Sequence, residues 1–403
     1  MENAFTLDTA YSNQNVLYDC GVYRKIAWPF SFYFFNFAAS AAVLPYVVLY
    51  YQELGFSGTQ IGLLTGITPL ITLVSAPFWT GLADTTRRHR LILGIVLLIG
   101  SVILAVLPLL RVFLPVFLLI IGLNLLLGPV NSFSDSASMT MLGEKKELFG
   151  RVRLGGTLGY GVFAILSGTI VQNLGLRAAF WVSAGVMFAA FIVSRKLEFS
   201  TVESVRVEGG GLHSLLKNPR WIGFLVLAFA GGLSVAGLNS YILPYMGEIG
   251  SSELLMGIAL AFGTVFEIPV LFFGDRLLKK LKPWRLYTLS LVLSGIRFLL
   301  YAANPFPAAV LAIQMLNGLT FPIMWVAGVA YADEIAPEGF RTTAQGIFSA
   351  FVVGIGNAVG SFLGGILLPV LGGRGVFLVL GSGILLFLIL GTLLHRFYER
   401  KSA

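Results

Sequence analysis

Residues 91–110 read LILGIVLLIGSVILAVLPLL, a stretch without a single charged side chain. At about 1.5 Å of rise per residue, a helix of this length spans the roughly 30 Å hydrocarbon core of a bilayer. Over all 403 residues, 57% are hydrophobic and only 11% are charged. Soluble domains carry about 25% charged residues. This composition therefore excludes a cytosolic enzyme or a secreted domain and predicts an all-α membrane protein.

Similar apolar runs recur along the whole chain and predict twelve transmembrane helices. They cover residues 26–51, 58–83, 91–110, 113–142, 152–173, 176–195, 220–246, 254–274, 286–303, 306–332, 342–371 and 374–396. The runs are continuous, whereas the strands of a membrane barrel are strips of about ten residues with alternating hydrophobicity. With an even number of spans, we expect both termini on the same side of the membrane.

The distribution of basic residues predicts which side that is. Of the 27 Lys and Arg residues, 23 fall in the termini and loops on the N-terminal side, and Arg297 falls inside a span. The opposite loops hold only Arg111, Arg177 and Arg374. Because basic residues accumulate in cytoplasmic loops, we expect cytoplasmic termini in a multi-pass protein of the cell (inner or plasma) membrane. The net charge of +8 is then a consequence of topology, and no nucleic-acid partner is expected.

The sequence carries no motif for a metal, a cofactor or a catalytic site. Its single cysteine, Cys20, cannot form an intramolecular disulfide, and its three histidines are far apart along the chain. No phosphate-binding loop of the G-x-x-x-x-G-K-[ST] type is present, so the chain does not power itself with ATP. The first 23 residues lack the basic start of a signal peptide. We therefore expect no enzyme activity, no metal and no cofactor.

The longest polar stretch inside the chain divides the predicted spans into six and six. The predicted parts are a cytoplasmic segment 1–25, a six-helix bundle 26–197, a cytoplasmic linker 198–218, a second six-helix bundle 219–397 and a tail 398–403. Each half carries an Asp where its second span meets a basic loop, namely Asp84 before Arg88 and Asp275 before Arg276. Parallel six-span repeats are common in secondary transporters, and we predict that these four residues act on an inner gate.

Short motifs resemble those of major facilitator superfamily transporters, and the resemblance covers nearly all of the chain. Residues 80–90, TGLADTTRRHR, resemble the superfamily's G-x-L-a-D-r-x-G-r-k loop, with Thr80 at its first Gly position and Arg87 at its second. The resemblance implies the major facilitator fold, in which the first and fourth spans of each half line a central cavity.

The second half resembles a particular branch of that superfamily, which contains phenylpropionate permease-like, lactose permease-like and domain-containing-6-like members. The matching pieces are residues 267–269 (EIP), Arg297, residues 317–321 (NGLTF) and residues 343–346 (TAQG). Trp325 stands where this branch commonly has a His, so a proton relay through that His is not carried over. The fifth span lacks the G-x-x-x-G-P-x-x-G-G pattern of drug exporters, which favours import.

Three ionisable residues lie inside predicted spans: Asp135, Glu267 and Arg297. A charge at the centre of a bilayer costs roughly 2.5–3.5 kcal/mol on the insertion scale, so each should face a partner or a cavity. Since a low dielectric disfavours a charged carboxyl group, we predict that Glu267 or Asp135 loads and releases a coupling proton. Arg297 is the predicted partner of Glu267 or a substrate anchor, and Arg153, with Arg151 beside it, is the predicted partner of Asp135. The alternative is that both pairs only brace neighbouring helices.

Amide and aromatic side chains in spans one, seven and ten are candidates for solute binding, because these spans line the cavity in the fold that the resemblance implies. The candidates are Asn36, Asn239, Tyr241, Gln314, Asn317 and Trp325. Aromatic faces with a few amides suit a ring-shaped solute that carries hydroxyls or an acid group. The alternative is that the aromatic residues face lipid or anchor the membrane interface.

The sequence therefore predicts a secondary active transporter that moves a small organic solute of the sugar, nucleoside or aromatic acid class. Alternating access with proton symport is the expected mechanism, and the expected partners are the solute, H+ and the lipid bilayer. We expect a monomer. The alternatives are a facilitative uniporter or an exporter of the same fold, or a receptor or scaffold derived from it that binds a ligand without moving it.

Overall fold

The computed structural model describes residues 25–145, 148–199, 219–337 and 340–402. Side chains at positions 219, 271–279, 342, 396 and 398–402 lie outside this description. Residues 1–24 of the predicted N-terminal segment and residues 200–218 of the predicted linker also lie outside the described residues. Within the described ranges all regular structure is helical, which confirms the predicted all-α class.

Eleven helices in the described ranges are long and apolar enough to cross a membrane. They are α1 Lys25–Glu53, α2 Gly58–Thr86, α3 His89–Leu109, α4 Phe113–Leu142, α5 Phe149–Leu174, α6 Leu176–Ser194, α7 Arg220–Glu248, α8 Glu253–Val270, α9 Pro283–Ala303, α10 Ala309–Ile335 and α11 Thr343–His395. The count is lower than the predicted twelve because α11 joins the last two predicted spans into one stretch of 53 residues. Gly372 interrupts α11 with the non-helical angles φ 68° and ψ 179°, and we call the parts on either side its first and second arms.

The long helices run alternately up and down, because short connections join most of them to the next. We call the end of the bundle where α1 begins at Lys25 the N-terminal end, and the end where α1 finishes at Glu53 the far end. We call α1–α6 the first group and α7–α11 the second group.

The two groups repeat one packing arrangement, in which close helix approach depends on glycine. In the first group, Gly155 and Gly159 of α5 lie against backbone carbonyls of α1, so that a Cβ at either position would clash. In the second group, Gly232 of α7 lies against Gly356 in the first arm of α11. Helices without a side chain at the contact can approach backbone to backbone. The fifth helix therefore packs on the first in the first group, and the first arm of α11 packs on α7 in the second.

The two groups meet at the far end through two further close contacts. Gly62 of α2 lies against Phe362 in the first arm of α11, and Gly257 of α8 lies against the carbonyl of Ala164 in α5. All hydrogen bonds between the groups within the described residues lie in this part of the bundle: Thr65 contacts α7 and α11, and Gln172 accepts from the backbone of Leu254. The structure is therefore closed at the far end.

One backbone feature lies at a position where the sequence departs from the superfamily motif. Arg87, which ends α2, has φ 56° and is the one residue other than glycine with positive φ among the described residues. It occupies the second Gly position of the motif, where glycine adopts this conformation without the steric cost that a side chain brings. The turn between α2 and α3 therefore places a side chain in a left-handed conformation at the position where the motif has glycine.

Candidate functional site

Arg297 lies at the centre of a polar network in the second group. The side chain projects from α9 and is 1% exposed. Its Nη1 donates to Asn317 Oδ1 at 2.6 Å and to Thr320 Oγ1 at 3.0 Å, and its Nη2 donates to Gln314 Oε1. Its Nε donates to the Tyr301 hydroxyl at 3.3 Å. These acceptors replace the water that the buried guanidinium has lost.

Asn317 connects this guanidinium to Glu267. Its Nδ2 donates to Glu267 Oε1 at 2.6 Å and to the backbone carbonyl of Gly263 at 3.1 Å, while its Oδ1 accepts from Arg297. Among the described residues, Glu267 and Arg297 form no ion pair within 4.0 Å. The expected partnership of Glu267 with Arg297 thus runs through an amide, which donates to the carboxylate and accepts from the guanidinium.

Helix α10 positions two of these groups at a break in its own regularity. Its first helical part ends at Gln314 and its second begins at Asn317, so both amides flank the interruption at residues 315–316. The sequence analysis predicted Gln314 and Asn317 as solute ligands, and the structure brings both to Arg297. Thr320 and Tyr301 were missed. The signal that could have found them is spacing, since Thr320 lies three residues after Asn317 and Tyr301 four after Arg297, on the same helix faces.

Glu267 also lies beside the first group. The side chain is partly exposed on α8, and Tyr160 of α5 is near enough to interact with it electrostatically. Glu267 therefore lies near the contact between α8 and the first group.

Asp135 in α4 has a different partner from the one predicted. Its Oδ1 accepts a hydrogen bond from the hydroxyl of Tyr33 in α1, which is 2% exposed. Arg151 and Arg153 are exposed, and neither forms an ion pair with Asp135 within 4.0 Å. Arg153 is near enough for its charge to act on the Tyr33 hydroxyl. The direct Asp135–Arg153 pair is thus not formed in this conformation, and the Tyr33 hydroxyl is the donor that the carboxylate has instead.

The other predicted solute ligands are dispersed. Asn36 in α1 donates to Asn131 Oδ1 in α4 at 3.3 Å, one helical turn from the Tyr33–Asp135 bond. Asn239 is exposed on α7. Trp325 is partly buried in α10, where its ring stacks on Phe321 with centroids 6.2 Å apart. The structure therefore brings Asn36 close to Asp135, and it leaves Asn239 and Trp325 outside both polar networks.

Tyr241 occupies a place that the sequence did not indicate. It is 0% exposed, and its hydroxyl donates to the backbone carbonyl of Ser361 in α11 and lies 3.4 Å from Thr65 Oγ1 of α2. It therefore lies in the contact between the two groups rather than on an exposed wall.

The predicted gate residues lie at the N-terminal end. The Nε2 of His89 is 2.9 Å from Asp84 Oδ1, so Asp84 is paired within its own group. Arg88 is exposed. The side chains of Asp275 and Arg276 lie outside the described residues. For the part of the chain that is described, no group of three His, Cys, Asp or Glu side chains could hold a metal ion.

Comparisons with known proteins find one matching family model and several proteins of similar sequence. A family model described as "MFS_1 like family" matches residues 28–379. Maltose permease of Geobacillus stearothermophilus is 27% identical over 352 residues, which cover 86% of this chain and 88% of that protein. Multidrug resistance protein MdtG of Yersinia enterocolitica is 26% identical over 309 residues, which cover 71% of this chain and 73% of that protein.

Solved structures of transporters share the fold. A mutant of the nucleoside transporter NupG superimposes with a TM-score of 0.83 at 16% identity, covering 92% of this chain and 99% of that chain. A bacterial homolog of the human lysosomal transporter Spinster, in an inward-facing conformation, superimposes with a TM-score of 0.71 at 16% identity, covering 93% and 96%. At this identity the likeness shows the fold alone.

Proposed function

The chain belongs to the MFS_1 like family of major facilitator transporters, and on that premise we propose that it is a secondary active transporter working by alternating access with proton symport. It is a multi-pass membrane protein. The observation that carries the proposal is the bridge from Glu267 through Asn317 to Arg297. It sets a partly exposed carboxylate against the first group, where one proton can be gained or lost as the groups move. Asp135 is the second candidate for this role.

A sugar or a nucleoside is the solute class that the described side chains support best. Asn36 with Asn131 in the first group, and the partly exposed Asn317 in the second, present amides that can exchange hydrogen bonds with hydroxyls. The printed name of one relative, maltose permease, points to a sugar. An aromatic acid, anchored by Arg297, is the remaining member of the predicted class.

Uptake into vesicles tests this proposal. A panel of labelled sugars, nucleosides and aromatic acids is offered to liposomes that contain the purified protein, with the outside more acidic than the lumen. One of these solutes should accumulate in the lumen above its outside concentration. Downhill uptake with no response to the pH gradient would favour a uniporter. Movement of the solute in the opposite direction to the protons would favour an exporter. Binding without any movement would favour a receptor or scaffold.

We propose further that the chain crosses the cell membrane twelve times, as a monomer with cytoplasmic termini and without enzyme activity. A straight helix of 53 residues would measure about 80 Å, more than twice the roughly 30 Å core, and Gly372 gives α11 a place to turn back. The two bundles, 26–197 and 219–397, would then be connected by the linker 198–218 on the basic side.

Site-directed labelling checks this topology. In a Cys20→Ser background, a cysteine at Glu203 of the linker should react with an impermeant maleimide only after the cytoplasmic face is exposed. A cysteine at Thr59, which is exposed next to the far end, is the matched control and should react in intact cells. Reaction of Glu203→Cys in intact cells would contradict the proposed orientation.

Asp84 and Arg88, with Asp275 and Arg276 in the other half, are the proposed inner gate. In the present conformation Asp84 is held by His89, and the gate function requires it to contact the second group when the N-terminal end closes. Asp84→Asn should slow transport about tenfold and leave equilibrium solute binding largely unchanged, since one charged hydrogen bond contributes roughly 1.5–3 kcal/mol. Uptake into vesicles measures the rate of transport, and isothermal titration calorimetry measures solute binding. A variant that lost solute binding but still changed between its two conformations would contradict a gate role.

A further inference from the structure

A small polar cluster lies inside the far-end contact between the two groups. It consists of the Thr65 hydroxyl of α2, the Tyr241 hydroxyl of α7 and the backbone carbonyl of Ser361 in α11. Thr65 Oγ1 lies 3.1 Å from the Ser361 oxygen and 3.4 Å from the Tyr241 hydroxyl, which itself donates to the Ser361 oxygen. Tyr241 is fully buried, so water does not compete for these bonds.

The second group forms its part of the cluster by itself. Tyr241 ends a π-helical stretch, Gly237–Tyr241, and its ring lies over Gly364, where a Cβ would clash with it. The missing side chain at Gly364 lets the tyrosine reach the Ser361 carbonyl within the second group. A π-helical turn contains one more residue than an α-helical turn, and such turns often occur at functional positions. Tyr241 and Ser361 thus make a preformed receptor for one hydroxyl from the first group.

The Thr65 hydroxyl has a second partner ready when the groups part. Its Oγ1 is 2.9 Å from the carbonyl of Ile61 in its own helix, and Tyr241 keeps its bond to Ser361 without Thr65. No buried polar group loses its last partner when the contact opens, so the large penalty for an unsatisfied group is avoided. A contact with these properties can stabilise one state without blocking exchange with the other.

We propose that Thr65 and Tyr241 form a latch that holds the far end closed, and that Tyr241 positions the two groups instead of binding solute. This inference rests on the proposed alternating access. When the far end opens, α2 moves away with Thr65, while Tyr241 and Ser361 stay together. The latch therefore biases the equilibrium between the two conformations, with an expected effect of about three- to tenfold on their ratio.

Alkylation of a buried reporter cysteine measures this equilibrium. Ala164→Cys, in a Cys20→Ser background, places the reporter on α5 at a fully buried position beside Gly257 of α8, away from the latch. Thr65→Val should raise the alkylation rate about three- to tenfold, because it removes the first group's hydroxyl from the cluster. Tyr241→Phe should raise the rate less, since Thr65 can still donate to the Ser361 carbonyl, and the double variant should match Thr65→Val. Thr65→Ser should restore the original rate, which separates the hydroxyl from general damage to the fold.

Two matched controls lie on the same helices. Thr72→Val removes a hydroxyl of α2 that bonds only within its helix, to the Thr68 carbonyl at 3.0 Å. Tyr245→Phe removes a buried hydroxyl of α7 that bonds only inside the second group, to Asn304. Neither should change the alkylation rate. Equal rate increases in the controls and in the latch variants would overturn the proposal.

A wedge variant distinguishes failure of the latch from failure of alternating access. Gly62→Trp must force α2 away from Phe362 and should raise the alkylation rate further. If the wedge raises the rate while Thr65→Val and Tyr241→Phe do not, the latch is overturned and alternating access stands. If the wedge also has no effect, the groups do not part, and the proposed function fails with the latch. Reduced solute affinity in Tyr241→Phe at an unchanged alkylation rate would return Tyr241 to the solute site and overturn the latch.

Discussion

Glu267→Gln is expected to abolish uphill accumulation of the solute and to leave counterflow exchange intact. With one proton per solute, a gradient of one pH unit supplies about 1.4 kcal/mol and supports a roughly tenfold accumulation ratio. Glutamine keeps the hydrogen bond that Glu267 accepts from Asn317, but it cannot take up or release a proton. The ratio should therefore fall to about one, while exchange of labelled for unlabelled solute continues because it requires no net proton movement.

The matched control is Glu53→Gln, which neutralises an exposed carboxylate at the far end of α1. This variant should accumulate solute to the original ratio. If Glu267→Gln also retained the full ratio, the coupling role would move to Asp135, for which Asp135→Asn is the corresponding test. Full accumulation in both neutral variants would show that neither carboxylate couples protons to transport.

Arg297→Met is expected to lower the stability of the protein strongly and to reduce transport more than tenfold. The guanidinium is 1% exposed and donates to Gln314, Asn317 and Thr320. Methionine fills similar space but leaves these acceptors without their donor, at a cost of roughly 1–3 kcal/mol for each buried acceptor left unsatisfied. Asn317 would also lose the contact that orients its amide toward Glu267. Thermal unfolding in detergent and uptake into vesicles measure the two effects.

Arg341→Met provides the comparison for a charge of the same type on the surface. Arg341 is exposed, and its Nη1 lies 3.8 Å from Asp333, a geometry worth at most about 1 kcal/mol. The melting temperature of Arg341→Met should stay within a few degrees of that of the unchanged protein. The melting temperature of Arg297→Lys should lie between those of Arg297→Met and Arg341→Met, because a single ammonium cannot donate to all the acceptors that the planar guanidinium reaches. A melting temperature of Arg297→Met equal to that of Arg341→Met would contradict a central role for the network.

Hydropathy and charge were sufficient to predict the helices. The apolar runs between Ile26 and the C-terminus were predicted from composition alone. The long helices of the structure follow these runs closely. This works because a membrane requires each crossing segment to satisfy its own backbone hydrogen bonds, so a local property decides the structure. The break at Gly372 was also local, since glycine accepts a positive φ that other residues resist.

Sequence also identified the ionisable groups that matter, because charges inside long apolar runs are conspicuous. Asp135, Glu267 and Arg297 were predicted to face partners, and each is hydrogen-bonded in the structure. The prediction of direct acid–base pairs went further than charge alone can justify. A carboxylate in a membrane needs a donor, but the donor can be a tyrosine or an amide as well as an arginine.

By itself, then, the sequence determined which segments are long and apolar enough to cross a membrane, where basic residues accumulate along the chain and which residues require partners. The tertiary structure alone decided which residues those partners are. Tyr33 is 102 residues from Asp135, Asn317 is 50 from Glu267, and Thr65 is 296 from Ser361. Such pairings depend on which helix faces meet after folding, and on glycines that let backbones approach to within hydrogen-bonding reach, and no local pattern in the chain records either.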